Sequence, residues 1–145
     1  MSRLYWIGLP LLLALVLSGC ASTPSVPNDK PTITLGQEFQ VAAGHTATLP
    51  AGNVRVVFNG VSEDSRCPAG VQCAWAGQAV VQISVYPPDG TPVGYNLVLG
   101  SSAINADLAT AGQYTIRLRA LDPLPVGSEQ VSPTDYVATL LMSKK

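Results

Sequence analysis

Short runs of strictly alternating side chains, each cut off by turn residues, constrain this fold more than any other feature of the sequence. The clearest run is Gln78 to Tyr86. Val81, Ile83 and Val85 lie on one face of it, and Val80, Gln82, Ser84 and Tyr86 lie on the other. A period of two is the period of a strand, and Val, Ile and Tyr suit a pleated, half-buried surface. Pro87-Pro88-Asp89-Gly90 ends the run with fixed φ angles and a left-handed position. The same grammar recurs around Phe39 and Val41, in Thr46–Leu49, in Val54–Asn59, around Tyr95, Leu97 and Leu99, in Tyr114–Arg119 and in Tyr136–Met142. Pro50-Ala51-Gly52-Asn53 supplies another turn. Only Ala103–Ala111 hints at a helix, and it is short. About seven strands without intervening helices predict an all-β domain. The expected architecture is an antiparallel, immunoglobulin-like β-sandwich, with a small β-barrel as the alternative.

The N-terminus has a different character. Arg3 is followed by the uncharged run Leu4–Leu17. That is shorter than the roughly 20 apolar residues of a membrane span and suits the core of a signal peptide. The run ends in Leu17-Ser18-Gly19-Cys20, which resembles the lipobox of bacterial lipoproteins. The resemblance implies cleavage before Cys20 and acylation of its thiol. Several acyl chains would hold the protein stably at a membrane without a spanning helix. In Gram-negative lipoproteins an Asp after the Cys tends to retain the protein in the inner membrane. Ala21 therefore implies the outer membrane, facing the periplasm. The expected layout is a signal peptide at 1–19, a Ser-, Thr- and Pro-rich flexible tether at 20–31, and a single domain at 32–145.

Composition excludes several activities. Eight Lys and Arg against nine Asp and Glu give no field to gather nucleic acid. The single His, His45, sits beside the turn signal Ala43-Gly44, so an exposed imidazole is expected and not a Ser-His-Asp triad. No Gly-x-Ser-x-Gly elbow or phosphate loop occurs. No cofactor is expected.

One segment stands apart. Residues 63–77 set Cys, Pro, Gly and Trp between two strand signals. In an exported protein Cys67 and Cys73 should form a disulfide, worth about 2 kcal/mol by chain entropy. Five residues separate the two Cys, against the two that catalytic dithiols use, which argues against redox chemistry. Asp64 and Arg66 are expected to pair and order the loop, or Asp64 to accept from loop amides. Glu63 with Asp64 as calcium ligands, and Arg66 as the bait of a protease inhibitor, are the functional alternatives. Trp75, flanked by small residues, is expected to close over the sheet edge as part of the core.

The arrangement Asp64-Ser65-Arg66-Cys67-Pro68, then Cys73, Trp75 and Gly77, resembles a segment that recurs in exported bacterial proteins, many of them lipoproteins. The resemblance covers about fifteen residues sharply and implies a shared β-rich domain without assigning an activity. The expected function is a membrane-anchored, non-enzymatic module for envelope structure or protein contacts. The alternatives are an inhibitor or ligand-binding module that uses loop 63–77, with Asp64, Arg66 and Trp75 as contact residues, and a cryptic hydrolase.

Overall fold

The computed structural model describes residues 30–145. The leader, Cys20 and the tether up to residue 29 lie outside them. Eight strands follow one another: β1 (Glu38–Ala42), β2 (Thr46–Leu49), β3 (Val54–Asp64), β4 (Ala79–Tyr86), β5 (Val93–Leu99), β6 (Leu108–Ala111), β7 (Tyr114–Asp122) and β8 (Val137–Lys144). They form two four-stranded antiparallel sheets, ordered β2-β3-β4-β5 and β1-β8-β7-β6. The sheets face each other as the expected sandwich and do not close into a barrel. Consecutive strands stay adjacent within each sheet, and β1 returns beside β8.

Alternation does the folding. Val54, Val56 and Phe58 of β3 face Ile116, Leu118, Leu140 and Met142 of the other sheet's strands within one core, with Val81, Ile83 and Val85 of β4 beside them. Burying such side chains contributes roughly 1.5–3 kcal/mol each, and this area supplies most of the driving force. Tyr136 is buried just ahead of β8, and Tyr95 and Tyr114 pack against the core from β5 and β7.

The suspected helix at Ala103–Ala111 does not form. Asn105 takes a left-handed φ of 58° in a turn, and Leu108–Ala111 becomes the edge strand β6. Tertiary pairing with Arg117–Tyr114 outweighs a weak local preference.

Two bulges in β3 decide what faces inward. Phe58 pairs with Ile83, but Gly60 pairs with Gln82; Val61 pairs with Val81, but Glu63 pairs with Val80. Each extra residue shifts the side-chain parity once. The first shift turns Val61 inward. The second turns Glu63 outward and leaves Asp64 on the inner side, opposite buried Ala79. A single bulge would have sent Asp64 into solvent.

Candidate functional site

Loops 65–78, 100–107 and 123–136 all emerge at the end of the sandwich where β3, β5 and β7 finish. The first continues the β3–β4 hairpin. The Ser65 amide donates to the Gln78 carbonyl at 2.8 Å, and the Cys67 amide to Ala76 at 2.9 Å. The Cys67–Cys73 disulfide then closes its tip. The tip docks sideways, with the Ala69 amide donating to Pro125 at 2.9 Å. Gly77 is required here: its φ is +72°, and a Cβ would lie 1.9 Å from the Ser65 carbonyl oxygen.

Beneath the loop, Arg66 is almost fully buried and its donors are taken. Nε donates to Asp64 Oδ1 at 2.8 Å and Nη2 to Oδ2 at 2.7 Å, a two-pronged pair. Nη1 donates to the Leu121 carbonyl and Nη2 to the Pro123 carbonyl at 2.7 Å. The Arg66 amide and the Tyr136 hydroxyl also donate to Asp64, at 3.1 and 3.0 Å. One guanidinium thus ties the end of β3 to the end of β7 and to the loop after it. Burial pulls the Asp64 carboxyl upward, but the Arg66 hydrogen bonds and charge, helped by Tyr136, outweigh it and hold the group below its ordinary value. Burial, then the neighbouring carboxylate, pushes the Tyr136 hydroxyl up.

This geometry sorts the sequence expectations. Asp64 and Arg66 form the loop-ordering pair. Arg66 cannot serve as protease bait, because its side chain points into the protein and its donors are occupied. Glu63 and Asp64 face opposite sides of the sheet, so they do not converge on calcium. Among the described residues no three His, Cys, Asp or Glu side chains gather as metal ligands. A cleft of about 370 Å³ opens between the end of β3 and loop 123–136, rimmed by Glu63, Glu129 and Gln130, with Tyr136 and the Asp64–Arg66 pair also lining it. Asp64 is ionised and committed to its partners, which makes it a clamp and not a general base.

Trp75 corrects the sequence reading. It is 66% exposed and does not close the core. The ladder from Ser65–Gln78 to Cys67–Ala76 carries the loop beyond the sheets, so the ring has no interior to enter. Val71, Leu124 and Val126 are exposed on the same or the adjoining loop, and Ile104 stands out at 92% exposure on loop 100–107. Loops 65–78 and 100–107 touch at Gly77 and Gly100, where a Cβ on Gly100 would lie 2.5 Å from the Gly77 oxygen. The sequence reading missed these aliphatic positions. Their signal was faint: single apolar residues within turn-rich segments.

Trp75 is the only tryptophan after residue 19. A chain from residue 20 on should therefore show red-shifted emission that acrylamide quenches readily. Trp75→Ala should alter unfolding stability by no more than about 0.5 kcal/mol, as for other exposed sites. Blue, protected emission would restore the core assignment.

Comparison with protein-family models, with curated proteins and with solved structures finds no match.

Proposed function

We propose that this chain is a lipid-anchored, non-enzymatic module of the bacterial envelope that binds a protein partner through the end formed by loops 65–78 and 123–136. The carrying observation is the combination of exposure and bracing in one loop. Trp75, Val71 and Val126 offer apolar surface, while the disulfide and the Arg66 clamp hold the backbone beneath them. A loop ordered before binding loses less entropy on association, and exposed aromatic anchors are where contact energy concentrates.

The placement of the chain's entry supports the same reading. Pro31 and Ile33 exchange backbone hydrogen bonds with Thr48, which pairs with Arg55 near the start of β3. Arg55 pairs with Tyr86 and Asp64 with Ala79, a span of seven β4 residues and about 23 Å at the usual rise per residue. A tether anchored at Cys20 thus joins the domain at the end remote from the apolar loops.

Two measurements test this. The protein should incorporate labelled fatty acid, and Cys20→Ala should abolish incorporation. Photo-crosslinking residues placed at Val71 and Val126 in cells should give a discrete protein adduct that disappears in the Trp75→Ala background. The same residue at Val57 or Gln82, on the outer face of a sheet, should give none. Absence of fatty-acid label would remove the anchor. Adducts of equal yield from the sheet face would remove the contact surface.

A further inference from the structure

The end of the sandwich opposite the apolar loops carries its own chemistry. Among the described residues, Arg66, Arg117 and Arg119 are ion-paired, with Asp64, Asp107 and Glu38. The bases that no carboxylate pairs with include Arg55, Lys144 and Lys145, all exposed and all at this end. Among the described residues its one acidic side chain is Asp89, in the turn between β4 and β5. Glu63, Asp122, Glu129 and Asp135 lie at the far end. A chain of almost balanced charge is therefore strongly polarised along its length.

The three bases share this end with an apolar feature. A cleft of about 150 Å³ opens here, lined by Val54, Val85, Pro87, Pro88 and Tyr114 among others. Arg55 follows Val54 in the chain and lies over the Tyr86 ring, 4.9 Å from its centroid. Lys144 sits opposite Tyr114 in the β7–β8 ladder. The Lys145 amide donates to the Gln113 carbonyl at 2.9 Å. Apolar side chains and a tyrosine, with three cations at the same end of the sandwich, form a surface suited to the boundary between lipid headgroups and acyl chains. We propose that this end rests on an anionic lipid surface, with Arg55, Lys144 and Lys145 against phosphate headgroups and the Pro87, Pro88 and Tyr114 cleft facing the acyl boundary.

The inference goes beyond the contact reading and gives it an orientation. The chain enters the fold beside Thr48, close to this end, so a tethered domain reaches the lipid without stretching its linker. Lipid contact here would present the Trp75 loops outward, where a tether alone leaves the domain free to tumble.

The test uses the unlipidated chain from residue 21 on, which contains both sheets, the whole core and the disulfide. Because it carries no acyl group, its outcome is independent of whether Cys20 is acylated. Co-sedimentation is measured with vesicles of phosphatidylglycerol and phosphatidylethanolamine, and with vesicles of phosphatidylcholine alone. Binding should favour the anionic vesicles and fall with salt. Each base near such a surface contributes about fivefold, so Arg55→Gln, Lys144→Gln and Lys145→Gln together should weaken binding about a hundredfold. Circular dichroism checks that the triple variant stays folded. Trp75→Ala, at the other end, should bind as the parent does. Equal binding to neutral vesicles, an unchanged triple variant, or loss of binding in Trp75→Ala would each overturn the proposal; the last would show that the loop end meets the lipid instead.

Discussion

Replacing Arg66 by Met should lower the unfolding free energy by about 3–5 kcal/mol, because it strands a buried carboxylate without its counter-charge. Asp64 would keep only the Tyr136 hydroxyl and a backbone amide, and the Leu121 and Pro123 carbonyls would lose their donor. Urea unfolding near neutral pH measures the loss. A change under about 1 kcal/mol would mean that the clamp is solvated and adds little, as surface pairs do. The double change Asp64→Leu with Arg66→Met should recover part of the loss, since it removes both charges.

The pH dependence of the two proteins should differ in sign. In the parent, the Asp64 carboxyl is held below its ordinary value. The unfolded state then binds more protons, so its stabilisation is full above about pH 4 and is lost as pH falls through the folded-state value. Without Arg66, burial is the dominant influence left and raises the carboxyl. The Arg66→Met protein should therefore gain stability relative to the parent as pH falls and the buried charge is neutralised. Tyr136 acts at the alkaline side. Its raised value makes its contribution full below about pH 10 and lost as pH rises through the folded-state value.

Gly77→Ala should be comparably damaging, at about 2–5 kcal/mol. The left-handed φ costs about 1–2 kcal/mol for a residue with a Cβ, and forcing the new methyl against backbone adds about 1–3 kcal/mol. Its neighbour is the Ser65 carbonyl, which cannot swing aside as a flexible side chain would. Gly44→Ala is the control. Gly44 has φ +78° but open space around it, so only the conformational part should appear. Equal losses in the two variants would show that the close packing of Gly77 on Ser65 is not limiting. Because Gly77 sits where the loop leaves the sheet, its variant should also loosen the Trp75 surface and reduce crosslinking from Val71.

The sequence by itself determined seven of the eight strands, most of their inward faces and the turns between them; β6 and the bulged second half of β3 were not legible. These rest on local properties: a period of two, β-branched side chains, and Pro-Gly chemistry, each legible within about ten residues. Val81, Ile83 and Val85 were readable as one inward face because nothing interrupts β4. The Cys67–Cys73 disulfide was readable from two cysteines behind an expected leader. Tertiary structure alone decided the rest. The two bulges in β3 flip its inward parity to Val61 and then back to Asp64, and no local signal in the sequence marks either of them. The Asp64 partner Tyr136 is 72 residues away, and Arg66 finds the Leu121 carbonyl 55 residues away, distances no local pattern encodes. Trp75 shows the same limit from the other side. Hydrophobicity argued for burial, but burial depends on whether a partner surface lies within reach. The hairpin ladder carries Trp75 past the end of both sheets, and there the described residues leave it exposed.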